Sequence, residues 1–132
     1  NIGVVGENRE NSLMEYMKFQ GDLTFVFQRE VMLDFPFPVI PGECFVPELY
    51  IWNLIGDQGD ILYFPTKSIY LCEYLADGYS ANFAANFQRN PQGFLLFYVT
   101  QIHREQQWLG KGKCLVRCLQ CLLRLGFKGV SQ

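Results

Sequence analysis

This chain has almost no histidine: of its 132 residues, only His103 is one. Triads and dyads of the Ser-His-Asp and Cys-His kinds need an imidazole base beside the nucleophile. His103 lies inside a predicted helix and has no suitable partner set there. We interpret it as a solvated or helix-capping residue, and such nucleophilic chemistry is not expected of this chain.

Long apolar runs are also missing, since no stretch approaches the roughly 20 residues that a membrane-spanning helix needs. The five cysteines are odd in number, and nothing predicts a secretory context. Free thiols in a reducing compartment are the default for such a set, so we expect a cytoplasmic protein. Three of them (Cys114, Cys118 and Cys121) recur at i, i+4 and i+7. Three thiolates on one helix face could join a metal site, but small residues on a packing face are the favoured interpretation.

Acidic and basic residues are mixed over most of the chain, and the net charge is −2, so neither sign of charge dominates there. No basic face argues for nucleic acid. The C-terminal part differs, since residues 111–128 hold no acid and five bases: Lys111, Lys113, Arg117, Arg124 and Lys128. Such a basic amphipathic helix either packs on its own domain, the favoured alternative, or contacts an anionic membrane surface peripherally, at the inner membrane face.

Apolar residues make up 49% of the chain and aromatic residues 16%, which is enough for a buried core. Strands are predicted at 2–6, 24–27, 61–64 and 68–74. Helices are predicted at 8–19, 30–35, 48–55, 81–88, 91–107 and 113–125. The order predicts an α/β fold of few strands with a helical C-terminal appendage. Because the chain opens without methionine, we expect a piece of a longer protein.

Residues 35–52, FPFPVIPGECFVPELYIW, place two carboxylates, Glu43 and Glu48, among proline, aromatic and aliphatic residues. The prolines make the first part stiff and non-helical. Pro47 suits a first helical turn, and a carboxylate beside it is favoured by the helix dipole. A rigid apolar loop therefore delivers Glu48 to the start of a helix, which serves either to hold a base or to cap the helix.

The same segment, preceded by GDLTFVFQREVML and followed by EYLADGYSAN, resembles the C-terminal half of a family 2 glycosyltransferase. The resemblance covers about residues 21–105. It implies an incomplete GT-A-like domain over 1–109, with 110–132 as a basic amphipathic tail. It also implies transfer of a sugar from a nucleotide-diphosphate donor to a saccharide or lipid-linked acceptor, as in the synthesis of cell-surface polysaccharide.

The resemblance implies a catalytic base at the start of the helix that follows the loop. Glu48 matches that position best, and Glu43 is the other candidate. Many relatives carry Glu-Asp here, whereas this chain has Glu48-Leu49, so the aspartate that often acts as base is missing. Glu48 would be partly desolvated by its apolar neighbours, and Glu43 would otherwise orient the loop by accepting backbone N–H bonds.

Five further residues are candidates for substrate binding. Trp52 and Tyr50 would offer stacking faces to a sugar ring, although aromatic residues at helical spacing are more often core. Asp77, Ser80 and Asn82 lie in a segment that closes over the donor diphosphate or the acceptor in relatives. The same three residues suit a turn and a helix cap equally well.

The resemblance implies Mg²⁺ or Mn²⁺ held by an Asp-x-Asp motif in the family's first half. No such motif is present in this sequence. We therefore expect the metal ligands and the donor site to lie outside this chain, which by itself would not turn over. The alternative is a non-catalytic interaction or membrane-docking module that retains the scaffold.

Overall fold

In the computed structural model, the residues described are 25–59, 78 and 81–130, with side chains described up to 126. They form five α-helices. The helices are α1 (Arg29–Asp34), α2 (Leu49–Gly56), α3 (Phe83–Arg89), α4 (Pro91–Arg104) and α5 (Trp108–Val130). No strand occurs among the described residues.

The predicted α/β class with a GT-A-like sheet is wrong, because the described part of the chain is helical and has no sheet. Residues 25–27, predicted as a strand from their β-branched and aromatic content, have no strand assignment. The aromatic side chains of this segment pack on another ring rather than in a sheet, since Phe25 and Phe27 both contact Trp52. The strands predicted at 2–6, 61–64 and 68–74, and the helix at 8–19, lie outside the described residues.

The chain divides into two compact units, the first comprising residues 1–36 and 51–73. In its described part, the ring centroids of Phe25 and Phe27 lie 5.9 and 4.8 Å from that of Trp52. Ile51 and Ile55 in α2 are both buried, as their i, i+4 spacing predicts for one helix face.

The second unit comprises residues 37–50 and 74–132, and in it α4 and α5 pack against each other. The core cluster contains Phe87, Phe94 and Cys121. Partly buried side chains complete it: Phe45, Leu95 and Tyr98. Phe94 lies at its centre, with ring centroids 5.1 Å from Phe87 and 5.5 Å from Phe45. An edge-to-face arrangement of Phe87 and Phe94 suits the quadrupoles of the two rings.

The predicted helices in the described residues are confirmed, with changed ends. The helix that begins at Pro91 ends at Arg104, and Glu105 follows it in an extended conformation. The next helix begins five residues earlier than predicted and continues past Gly126 to Val130. A single glycine inside a helix costs only about 1 kcal/mol, which neighbouring helical residues offset. The predicted boundary between a domain over 1–109 and a basic tail over 110–132 stays a prediction.

Candidate functional site

The proline-rich loop is attached to the start of α4 by Glu43. Its two carboxylate oxygens accept hydrogen bonds from the backbone N–H groups of Gln92 and Gly93, each at 2.8 Å. These N–H groups have no partner inside the helix, and the negative charge suits the positive end of the helix dipole. Glu43 thus has the loop-orienting role that the sequence left open as an alternative to catalysis.

Asn90, immediately before α4, makes a second attachment and is only 1% exposed. Its Oδ1 accepts a hydrogen bond from the backbone N–H of Cys44 at 2.9 Å, and its Nδ2 donates to the carbonyl oxygen of Asn86 at 2.9 Å. One buried amide therefore connects the loop to the corner between α3 and α4. Glu43 and Asn90 together fix two consecutive loop residues, Glu43 and Cys44, to that corner.

Gly93 lets the loop approach α4 closely. A Cβ atom at this position would collide with the carbonyl oxygen of Phe45 and press on the Val46 side chain. Only glycine fits where a backbone comes this near to a helix. The clamp, which we define as Glu43, Asn90 and Gly93, therefore sets the height of the loop above α4.

A groove of about 650 Å³ lies along the clamped loop. Its wall is mostly apolar and includes three aromatic rings, those of Phe37, Phe83 and Phe94. Glu43 and Glu48 are the two carboxylate residues that line it. Both oxygens of Glu43 accept hydrogen bonds from α4, so Glu48 is the acid whose carboxylate remains available to a ligand in the groove.

Glu48 directly precedes α2, which begins at Leu49, one residue later than predicted. The turn is fixed by a hydrogen bond from the backbone N–H of Tyr50 to the carbonyl oxygen of Pro47, at 3.0 Å. The Glu48 side chain is exposed rather than partly buried. Desolvation of this carboxylate would therefore have to come from a ligand that fills the groove.

The two aromatic residues predicted to stack on a sugar lie elsewhere. Trp52 is half-buried and contacts Phe25 and Phe27. Tyr50 is half-buried as well, and neither residue lines the groove. The rings that do line it, such as Phe37 and Phe83, were not predicted. Phe37 lies in the proline-rich segment and Phe83 begins α3, so no shared local pattern marks the two rings.

Of the three residues predicted in the closing segment, Asp77 and Ser80 lie outside the described residues. Asn82 is exposed and precedes α3. Its Nδ2 and its backbone N–H both donate to the carbonyl oxygen of Gly78 at 3.1 Å. This is the turn-forming alternative, and the structure does not bring Asn82 to the groove wall.

The sequence did not point to Asn90 or Gly93, because the Asn90-Pro91 pair by itself indicates only a break between the helices predicted at 81–88 and 91–107. An asparagine between two helices, followed three residues later by a helical glycine, was the available signal. It indicates a polar corner beside a close approach. Nothing in the local sequence shows that the approaching segment is 46 to 50 residues away.

The three cysteines at helical spacing are buried thiols, as the packing interpretation predicted. Burial raises the pKa of Cys114 and of Cys118, and it raises the pKa of Cys121 to about 11. Burial likewise raises the pKa of the Tyr98 hydroxyl in the same cluster. The buried thiols are therefore protonated and unreactive near neutral pH.

We predict that Cys44, which is exposed, reacts with iodoacetamide at pH 8 far faster than the three buried thiols. Thiolate is the reactive form, so Cys121 should label only as the pH approaches 11 or after denaturation. Peptide mass spectrometry of a Cys72→Ser chain measures the order of labelling. Fast labelling of Cys121 in the folded chain would show that α5 does not pack as described.

Among residues 25–59, 78 and 81–130, no group of three or more His, Cys, Asp or Glu side chains could hold a metal ion. His103 is exposed in the last turn of α4. No helix in the described part of the chain is long and apolar enough to cross a membrane. Comparison with protein-family models, with curated proteins and with solved structures found no match to this chain.

Proposed function

We propose that this chain supplies the acceptor-binding side of a nucleotide-sugar-dependent glycosyltransferase, with Glu48 as the general base. The observation that carries the proposal is the position of Glu48 at the aromatic-lined groove. The carboxylate has no hydrogen bond or ion pair among the described residues. The reaction class comes from the resemblance of residues 21–105 to family 2 glycosyltransferases.

A general base must lie within hydrogen-bond reach of the hydroxyl from which it takes the proton. The position of Glu48 at the groove is fixed, because its loop is held by the clamp and its helix start by the Pro47–Tyr50 hydrogen bond. An acceptor in the groove would cover the exposed carboxylate, and the rings of Phe37 and Phe83 would contact its apolar face.

The described residues do not fit a divalent metal, so no step of this proposal passes through one. The residues of this chain bind and orient the acceptor, exclude water from it and accept its proton at a Glu48 oxygen. The resemblance implies that the donor site lies outside this chain. The substrate class, a sugar carried by a nucleotide diphosphate, is inferred from the resemblance alone.

We predict that Glu48→Gln lowers kcat by about 10²- to 10⁴-fold in the full polypeptide that contains this sequence. The amide keeps the shape of the side chain but cannot accept the proton. Turnover is measured against a panel of nucleotide sugars and saccharide or lipid-linked acceptors. Acceptor affinity, measured by titration calorimetry, should change little.

Glu30→Gln is the matched control, because Glu30 is also an exposed carboxylate at the start of a helix but does not line the groove. Its kcat should equal that of the unmodified protein. Full turnover by Glu48→Gln would remove Glu48 as base. Absence of both turnover and acceptor binding in the unmodified protein would favour the non-catalytic module instead.

A further inference from the structure

The C-terminal helix α5 has two apolar faces, and only one of them is packed. Cys114, Cys118 and Cys121 are buried on the first face. At 100° per residue, these three positions fall within an arc of about 60°. Cys121 belongs to the core cluster with Phe87 and Phe94, so this face holds α5 on its own domain. The buried side chains by which α5 packs on its own domain are therefore these small cysteines.

The second face, which we call the leucine face, consists of large apolar side chains on nearly the opposite side of the helix. All are exposed, with Leu119 at 60%, Leu123 at 63% and Trp108 at 86%. At 100° per residue the face spans about 140°. Its members are Trp108, Leu109, Leu115, Val116, Leu119, Leu122 and Leu123. A continuous face of this size marks an interaction surface rather than scattered exposed residues.

Cations border the leucine face on both sides. At 100° per residue, Lys111 lies along one border and Lys113 along the other. Arg117 and Arg124 follow beyond Lys113, with their guanidinium groups over the core ring of Phe87 at 5.3 and 5.7 Å. The Lys111 Nζ atom lies 5.3 Å from the ring centroid of Trp108, a cation–π contact at the edge of the face. No acidic residue occurs after Glu105. The face is therefore apolar, and its borders carry cations and no acid.

This charge pattern distinguishes between two occupants of the leucine face, a second copy of the chain and an anionic membrane. A second copy docking through a two-fold axis would bring the same cations against each other, with no acid on the helix to pair them. An anionic phospholipid surface attracts cations on both borders at once, while lysine stems lie along the apolar zone and keep their ammonium groups at the headgroups. Trp108 at the end of the face suits the membrane–water interface.

We propose that α5 docks this protein on an anionic phospholipid membrane, lying in the plane of the surface with the leucine face in the acyl boundary. A wide apolar face between two cationic borders is the pattern of helices that lie in the interface. The face that holds Cys114, Cys118 and Cys121 stays packed on α4 in the docked protein. This proposal does not depend on the function of the groove.

The test uses the 132-residue chain and vesicles of phosphatidylcholine with and without phosphatidylserine. Cosedimentation should show binding to the phosphatidylserine vesicles, and binding should weaken as salt rises because the border cations are screened. Trp108 fluorescence should shift to the blue on binding. Leu119→Glu with Leu123→Glu should lower the partition coefficient by at least about tenfold, because two buried apolar contacts are replaced by charges that anionic lipid repels.

Leu33→Glu is the matched control, because Leu33 is an exposed helical leucine (66% exposed) outside α5. Its partition coefficient should stay close to that of the unmodified chain. Far-UV circular dichroism checks that each variant folds. No binding of the folded chain to phosphatidylserine vesicles would overturn the proposal. A dimer in lipid-free buffer that Leu119→Glu dissociates would overturn it in favour of a second copy.

Discussion

Replacement of Gly93 by alanine should cost this chain about 3 kcal/mol of unfolding free energy. The new Cβ would occupy the space of the Phe45 carbonyl oxygen. The obstacle is backbone, which cannot rotate away as a flexible side chain would. Relief requires the loop to lift from α4, and lifting stretches the Glu43 and Asn90 hydrogen bonds at the same time.

Gly112→Ala provides the matched control, since Gly112 lies inside α5 and a Cβ there meets open space. Alanine should stabilise the chain at this position by about 0.5–1 kcal/mol, because glycine loses more backbone freedom on folding. Urea denaturation followed by circular dichroism measures both variants. The two glycines should thus give effects of opposite sign. Stabilisation by both substitutions would contradict the close approach of residue 45 to α4.

The helices of the second unit could be predicted because their signals are local. Pro91 begins α4 where an unpaired N–H would otherwise lie, and the apolar residues Phe94, Leu95 and Tyr98 recur at helical spacing. The i, i+4, i+7 spacing of the cysteines identified the packed face of α5 for the same reason. The second apolar face of α5 was not separated from the first, because the leucine-rich pattern surrounds most of the helix.

The sheet prediction failed because strand propensity reports how well a side chain fits a half-buried surface, and an aromatic cluster provides one too. Phe25 and Phe27 find that surface on Trp52 rather than on a neighbouring strand. Trp52 lies in this aromatic cluster rather than in the groove wall for the same physical reason, and its role in sugar stacking stays a prediction. An aromatic side chain fits an apolar cluster as well as it fits a sugar ring.

The candidate site could be predicted only in part. The proline-rich segment drew attention to Glu43 and Glu48, and both line the groove. Their different roles depend on α4, which is about 50 residues away in sequence, so no local pattern distinguishes them. Glu43 caps a helix it does not belong to, whereas Glu48 precedes a helix and remains exposed.

Asn90→Ala should cost about 2–3 kcal/mol, the second large effect expected for this chain. The substitution deprives the Cys44 N–H of its acceptor and removes the Nδ2 donor to the Asn86 carbonyl oxygen. Both bonds lie at a buried position, so water replaces them poorly. Asn90→Asp should destabilise the chain as well, because it keeps the acceptor but loses the donor and buries a charge.

Asn82→Ala is the matched control, because Asn82 also precedes a helix and donates from Nδ2 to a backbone carbonyl, but it is exposed. Its cost should stay below about 1 kcal/mol. A cycle that combines Asn90→Ala with Glu43→Gln then tests whether the clamp acts as one unit. Because both residues hold the same short loop segment, the cost of the double variant should be less than the sum of the two single costs. Simple additivity would show that Glu43 and Asn90 stabilise α4 and the loop independently, and the groove wall would then not require both.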